Sequence, residues 1–148
     1  MTITYQRETM DEVLNDIQQR LPEHLEELAV YKEFDADPDL DKYRILENQQ
    51  MIICMTARAN NVLVGYMVDI IYPHMHYKTM IVASNDFHYI VPEYRAKCAR
   101  GLTKAIEKFE KACGVYVRTT RVTPKNNAQR FYEAVGYHYI DATLGKIL

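Results

Sequence analysis

The chain has 148 residues, of which 48% are hydrophobic and 26% are charged, and its formal net charge is −2. These values are ordinary for one globular domain spanning residues 1–148, and the slightly negative charge argues against a dedicated nucleic-acid-binding protein. No apolar run approaches the ~20 residues that span a bilayer. Three cysteines without a signal-peptide pattern predict reduced thiols in the cytoplasm.

The first third of the chain predicts one strand, two helices and a polar connector. Residues 2–7 alternate weakly in hydrophobicity, as a strand does. Thr9 and Glu12 have the spacing of a capping box, and the apolar residues that follow fall on one helical face. Pro22 suits the first turn of a second helix. The acidic stretch Glu33–Asp41 is expected to be a solvated connector.

The middle of the chain predicts three consecutive strands. Met51–Ala57 and Val62–Ile71 are apolar and rich in β-branched residues. Asn60–Asn61 separates them, and asparagine tolerates the positive φ of a hairpin turn. Met80–Val91 is the next strand, and Pro92 ends its ladder because proline has no amide hydrogen.

The last third predicts two helices and two strands. Apolar residues recur at helical spacing over Ala99–Ala112, and the stretch Val115–Val122 then alternates as a strand. Asn126 is expected to cap a final helix, and a glycine follows each of the two helices. Tyr137–Leu148 is predicted to close the sheet as a final strand. The order of elements predicts a mixed α/β domain.

Two segments carry the strongest functional signal. Ile90–Arg95 reads IVPEYR at the end of a strand and runs into a helix start with four cations and no acid. Asn126–Tyr137 reads NNAQRFYEAVGY. Their order, and the order of elements, resemble the GNAT superfamily of acyl-CoA-dependent N-acetyltransferases. Leu63–Tyr66, Pro73–Tyr77 and Asn85–Asp86 resemble small GNAT proteins carried by tailed bacteriophages.

The resemblance implies a fold and a reaction. The expected fold is a single α/β domain with a mixed central sheet flanked by about four helices. The expected reaction moves acetyl from acetyl-CoA to an amine by direct attack, on a protein lysine, an N-terminus or a small molecule, without a metal. The protein would be a monomer or homodimer in the cytoplasm, the host's if it is phage-encoded. The alternative is a catalytically eroded GNAT-like protein that acts as a CoA- or protein-binding module.

The cofactor site is predicted where the strand passes into the basic helix start. Free amides of a helix N-terminus and flanking cations bind phosphate groups well. The resemblance adds that backbone amides at the strand end bind the acetyl oxygen. Cys98 and Arg100 stand where the family has glycines, which crowds the phosphate loop. The predicted cofactor-binding residues are Ile90, Val91, Arg95, Ala96, Lys97, Cys98, Ala99, Arg100, Gly101 and Asn127.

The catalytic candidates follow from the needs of acetyl transfer. An amine with a pKa near ~10.4 is almost fully protonated at neutral pH, so a base must accept its proton. Asp86 is the first candidate and His88 the second, because alternate residues of one strand share a face. The resemblance assigns Tyr132 as the acid that protonates the CoA thiolate. The structural alternatives are a salt-bridged aspartate, a half-buried histidine and one tyrosine among twelve.

Three other features have weaker interpretations. His74 and His76 are two metal-ligand types with no third nearby, so no metal site is predicted, and with Tyr77 they are expected to line the acceptor pocket. Cys98 is either a thiol activated by neighbouring cations or a small space-filling residue. The acidic stretch Glu33–Asp41 would suit a cationic acceptor.

Overall fold

A computed structural model of the chain describes residues 2–28, 31, 35, 37–123 and 128–148. The helices and strands within those residues are β1 (Ile3–Arg7), α1 (Met10–Leu28), α2 (Leu40–Asn48), β2 (Ile52–Ala59), β3 (Val62–Pro73), β4 (Ile81–Ile90), α3 (Arg95–Ala112), β5 (Val117–Thr119) and α4 (Ala128–Ala134). This mixed α/β architecture with five strands and four helices confirms the predicted fold class. None of the helices described is long and apolar enough to cross a membrane.

The five strands form one sheet in the order β1-β2-β3-β4-β5. Neighbouring strands among the first four pair antiparallel, whereas β5 runs parallel to β4. The parallel pairing is short, because only Val82–Ser84 of β4 meets Val117–Thr119 of β5. The rest of β4, from Asn85 to Ile90, therefore has an edge that β5 does not cover. We call this stretch the open edge of β4.

The sheet carries helices on both faces. On one face, α1 and α2 pack on a core cluster that includes Val13, Tyr66 and Tyr89. On the other, α3 packs through Leu102 and Ile106 on a second cluster. Successive residues of β3 and β4 alternate between the two clusters, as the two-residue period of a strand requires. Each side chain of β4 therefore faces either the layer of α1 and α2 or the layer of α3.

Several sequence predictions are confirmed by local geometry. The amide of Thr9 donates to Oε2 of Glu12 at 2.7 Å, and the amide of Glu12 donates to Oγ1 of Thr9 at 3.3 Å, which completes the capping box. Asn60 and Asn61 have φ of 48° and 69° in the β2–β3 turn. Gly114, with φ of 87°, follows the end of α3. Each of these signals lies within a few residues of the feature that it predicts.

Two predictions about helices and strands are wrong. Pro22 lies inside α1, which runs from Met10 to Leu28, and does not begin a second helix. The second helix is α2, which Asp39 caps by accepting from the amide of Lys42 at 3.2 Å. Residues 137–148 form no strand, and their side chains are mostly exposed, with Leu144 at 95%. The expected cap at Asn126 lies outside the described residues.

Candidate functional site

A β-bulge in β4 separates the two residues predicted as bases. Phe87 pairs with Val68, but Asn85 pairs with Asp69, so Asp86 is an extra residue in its strand. Oδ2 of Asp86 accepts from the hydroxyl of Tyr43 on α2 at 2.5 Å, and the Tyr43 ring stacks on Phe87. Asp86 is therefore directed toward the α1–α2 layer.

His88 contacts the opposite layer, where it meets Tyr132 of α4. Nδ1 of His88 lies 2.6 Å from the hydroxyl oxygen of Tyr132, whose side chain is 3% exposed. The expectation that Asp86 and His88 share a face is wrong because the bulge interrupts the two-residue alternation. The structure instead joins the second candidate base to the candidate acid.

Both members of this pair are uncharged at neutral pH. Burial, together with the positive charge of Arg118, lowers the pKa of His88 well below neutral pH. Burial raises the pKa of Tyr132, although Arg118 acts in the opposite direction. The phenol consequently keeps its proton at neutral pH, as a general acid must before it acts.

The backbone at the end of β4 presents one amide toward the open edge. The amide of Val91 donates to the carbonyl of Val64 at 2.9 Å, so this amide, predicted to bind the acetyl oxygen, is committed to β3. Ile90 is the next residue in the ladder and pairs with Gly65 in the non-hydrogen-bonded register. Its amide and carbonyl point away from β3, and its carbonyl accepts from Nε of Arg95 at 3.0 Å. The Ile90 amide thus faces the open edge of β4.

The helix α3 begins immediately after this strand end. A single 3₁₀ turn over Pro92–Tyr94 connects them, and α3 starts at Arg95. The guanidinium of Arg95 also forms an ion pair with Glu27 of α1. Ala96, Lys97 and Arg100 are exposed on the first turns of the helix. The first amides of α3, with the exposed side chains of Lys97 and Arg100, therefore follow directly on the end of β4.

The other predicted phosphate-loop residues face the protein interior. Cys98 is 0% exposed and packs with Leu102, and burial raises the pKa of its thiol to about 11. This favours the space-filling interpretation over an activated thiol. A Cβ on Gly101 would lie 2.3 Å from the ring of Tyr5, so this glycine makes room for β1. Ala99 is half-buried beside the same core cluster, and Asn127 lies outside the described residues.

A buried charged cluster adjoins Tyr132 and was not predicted from the sequence. Arg118 of β5 is 6% exposed; its Nη2 donates to Oδ1 of Asp69 at 3.1 Å, and its Nε lies 2.7 Å from Oδ2. Glu110 of α3 lies 3.4 Å from the same Nε, while Nη1 donates to the hydroxyl of Tyr137 at 2.9 Å. We call these four residues the Arg118 cluster. The sequence feature that points to this cluster is Asp69, a lone charged residue in an apolar strand. A buried charge requires a partner.

Glu110 is the unusual member of the cluster. Burial and the neighbouring Asp69 carboxylate raise its pKa to about 9, and Arg118 offsets only part of this effect. Glu110 is therefore protonated at neutral pH, and the cluster holds one carboxylate and one guanidinium charge. A neutral acid can donate a hydrogen bond to Asp69, which two ionised carboxylates cannot share.

A cavity of about 430 Å³ lies between α1 and the end of β4. We call it the acidic cavity, because four carboxylates and one guanidinium line it together with three less polar residues. Its wall includes the hydroxyl of Tyr89, which donates to Glu23 at 2.8 Å. The lining residues are Arg20, Glu23, Glu26, Glu27, Tyr89, Val91, Pro92 and Glu93.

The histidines at the β3–β4 turn lie away from this region. Nδ1 of His74 accepts from the amide of His76 at 3.0 Å, and Tyr77 packs on the His74 ring. The turn precedes Ile81, whereas the acidic cavity lies beyond Ile90, about 30 Å along the strand. The expected acceptor role of this turn is therefore not supported by its position. No group of three or more potential metal ligands occurs among the residues described.

Solved structures with this architecture are acetyltransferases. An aminoglycoside acetyltransferase from an uncultured soil metagenomic sample is 15% identical with a TM-score of 0.78, covering 100% of this chain and 99% of its own. AAC(6')-Iy, in complex with the bisubstrate analogue CoA-S-monomethyl-acetylneamine, is 13% identical with a TM-score of 0.78 and the same coverage. A predicted acetyltransferase with acetyl-CoA from Clostridium acetobutylicum is 16% identical with a TM-score of 0.72, covering 99% and 96%.

The chain has the GNAT fold. Its structural neighbours are GNAT-family acetyltransferases, and the likeness extends over essentially the whole of the chain. No protein-family model matches the sequence, and no curated protein matches it. The fold is thus established by structure, and the activity has to be argued from the residues at the open edge of β4.

Proposed function

We propose that this protein is an acetyl-CoA-dependent N-acetyltransferase. The observation that carries the proposal is the open edge of β4, where the Ile90 amide points away from β3 beside the hydrogen-bonded pair of His88 and Tyr132. A hydrogen-bond donor and a protonated acid at one uncovered strand edge are what thioester aminolysis requires. The neighbours with this fold include complexes with acetyl-CoA and a CoA-linked analogue.

The residues present fit acetyl-CoA, which supplies an activated acetyl thioester. The Ile90 amide would donate to the acetyl oxygen, a contact whose loss elsewhere costs about 3–4 kcal/mol. The amides of the first turn of α3, with Lys97 and Arg100, would hold the diphosphate. Because Cys98 points into the core, it does not crowd the phosphates as a side chain at a loop glycine would. Arg95 would exchange Glu27 for a phosphate oxygen.

The proposed acid is Tyr132 and the proposed base is Asp86. The Tyr132 hydroxyl gives its proton to the departing thiolate sulfur. His88 is the poorer base because its imidazolium form would stand beside Arg118. Asp86 is exposed on the bulge and adjoins α2, and it would take the ammonium proton of the acceptor directly or through water.

The acidic cavity leads us to propose a small cationic amine as the acceptor. Its carboxylates outnumber its guanidinium by three, and a volume of about 430 Å³ lies within the usual range for small-molecule sites. Several neighbours are, by name, aminoglycoside acetyltransferases, whose substrates carry several amines. A second acceptor class is a protein N-terminus, since another neighbour is a ribosomal-protein-alanine N-acetyltransferase. Residues 33, 34 and 36 of the stretch Glu33–Asp41 lie outside the described residues, and none of its described residues lines the acidic cavity, so the stretch adds nothing to this argument.

The second candidate function is a binding module that has lost turnover. Two observations keep it as the alternative: Arg100 replaces a glycine of the family pattern, and an ion pair with Glu27 occupies Arg95. We further propose a cytoplasmic monomer or homodimer, encoded by a bacteriophage and active in the host cytoplasm. The sequence likeness of residues 63–66, 73–77 and 85–86 to small phage proteins supports that origin.

The deciding experiment measures thiol release from acetyl-CoA with a panel of polyamines, aminoglycosides and N-terminal peptides. Wild-type protein should release thiol and form an N-acetylated product visible by mass spectrometry. Tyr132→Phe should lose about 100-fold or more of the rate, in line with the usual contribution of a general acid. Tyr116→Phe, which removes an exposed hydroxyl, is the matched control and should act as wild type. Acetyl-CoA binding without turnover by any variant would favour the binding module.

A further inference from the structure

We propose that Arg118 is a positioning residue for Tyr132, which fixes the end of α4 and supports the phenol oxygen after its proton has left. This inference rests on the proposed function, because the phenolate forms during acetyl transfer. The effect of Arg118 on the pKa of Tyr132 can be measured without turnover. Arg118 occupies the middle of β5 and pairs with Ala83, one residue before the pairing of β4 with β5 ends.

Arg118 holds the end of α4 in place through Tyr137. α4 has seven residues, too few to be stable as an isolated helix. Tyr137, just after it, donates its amide to the carbonyl of Tyr132 at 3.0 Å, and its ring lies 5.0 Å from the Tyr132 ring. Arg118 donates to the hydroxyl of Tyr137, which in turn donates to Glu107 of α3 at 2.7 Å. Arg118 therefore fastens the C-terminal end of α4 to the sheet.

Arg118 also acts on Tyr132 electrostatically. Asp69 lies on one side of the guanidinium: its Oδ1 accepts from Nη2 at 3.1 Å, and its Oδ2 lies 2.7 Å from Nε, so a buried ion pair holds the charge in place. The groups that act on the Tyr132 hydroxyl are His88 from β4, Arg118 from β5, Thr120 just after β5 and Asp69 from β3. Burial raises the pKa of Tyr132, and Arg118 is the largest of the opposing influences. The positive guanidinium thereby lowers the free energy of the buried phenolate form of Tyr132.

The proton balance of the reaction passes through the phenolate form of Tyr132. As the C–S bond of the thioester breaks, the O–H bond of Tyr132 breaks and an S–H bond forms, which leaves a phenolate. The neutral amine nitrogen has one surplus proton after it forms the C–N bond, and that proton returns to the phenolate through water. The proton that Asp86 took earlier from the ammonium form passes to solvent. Arg118 stabilises the phenolate during this interval, and it touches neither substrate nor thioester.

The test is the titration of Tyr132 in protein labelled with ¹³Cζ-tyrosine. The Tyr132 signal is the one missing from Tyr132→Phe. In Arg118→Gln the signal should titrate at a higher pH than in wild type, by about one unit or more, the usual effect of an opposite charge nearby. Arg121→Gln removes an exposed charge next to β5 and should leave the titration unchanged.

Arg118→Gln leaves Asp69 as an unpaired buried charge and risks unfolding. The double variant Asp69→Asn/Arg118→Gln removes the whole pair, and circular dichroism would verify its fold. It should also titrate at a higher pH than wild type, because Arg118 outweighs Asp69 at this hydroxyl. An unchanged Tyr132 titration in a folded variant that lacks Arg118 would overturn the proposal.

A double-mutant cycle links the titration to turnover. If Arg118 acts through Tyr132, adding Arg118→Gln to Tyr132→Phe should lower kcat by less than twofold, although Arg118→Gln alone lowers it at least tenfold. Independent, multiplicative losses would refute the positioning role. If the variants show the titration shift but wild-type protein acetylates no amine, the proposed function is refuted and the Arg118–Tyr132 coupling stands.

Discussion

Replacing Glu110 with glutamine should stabilise the protein at neutral pH. Glu110 is 2% exposed, and its neighbourhood keeps it protonated at pH 7, whereas in the unfolded chain it ionises near its ordinary pKa of 4.5. Between those pH values the unfolded chain loses a proton that the native protein retains. The contribution of Glu110 to the free energy of unfolding is therefore fully present below pH 4.5. It falls as the pH rises toward the pKa of Glu110 in the native protein.

The size of the effect follows from that difference. Each pH unit costs about 1.4 kcal/mol, so over about 2.5 units the ionisable side chain costs about 3 kcal/mol at pH 7. Glutamine is neutral at every pH and keeps a donor for Asp69. We expect Glu110→Gln to raise the free energy of unfolding by about 2–3 kcal/mol at pH 7 and by little at pH 4.5.

Urea denaturation of wild type and Glu110→Gln at pH 4.5, 7 and 9 would measure both quantities. The gap between the two proteins should widen with pH, because only wild type contains the buried acid. Glu133→Gln, an exposed helical glutamate, is the matched control and should change stability by less than about 0.5 kcal/mol. A Glu110→Gln protein that is less stable than wild type at pH 7, or whose gap does not widen, would refute the reasoning.

Three further predictions follow from single contacts. Glu27→Gln should tighten acetyl-CoA binding by up to about fivefold in calorimetry, because a half-exposed ion pair worth up to about 1 kcal/mol no longer occupies Arg95; weaker binding would contradict this. Cys113→Ser should abolish labelling of the native protein by a thiol reagent, since the other two cysteines are buried and only denaturant exposes them; persistent rapid labelling would show that one of them is accessible. Leu102→Ala should lower the free energy of unfolding by about 2–5 kcal/mol in urea, and a loss below 1 kcal/mol would mean that α3 packs loosely.

Sequence patterns predicted the features that depend on local geometry. Asn60–Asn61 adopts the positive φ angles that its composition favours, and Pro92 ends the β4 ladder. The same local logic found the helix start at Arg95. Those signals were enough for the fold class and for the strand end that presents Ile90.

Features that depend on tertiary pairing could not be predicted. The bulge at Asp86 exists because of its pairing with β3, and its sequence, SNDFH, shows no sign of an extra residue. Arg118 and Glu110 meet Asp69 only after β5 and α3 have packed on the sheet. Alternation of residue types shows which side chains share one face of a strand, whereas the buried Asp69 finds Arg118 across 49 residues of chain.

The amide of Ile90 offers the most direct measurement of the central claim. In ¹⁵N-labelled protein, titration with acetyl-CoA should move the Ile90 amide resonance downfield as it donates to the acetyl oxygen. CoA alone should perturb residues of the first turn of α3 and leave Ile90 nearer its free position. If acetyl-CoA leaves Ile90 and its neighbours on β4 unmoved, the open edge of β4 is not a thioester site and the account is wrong.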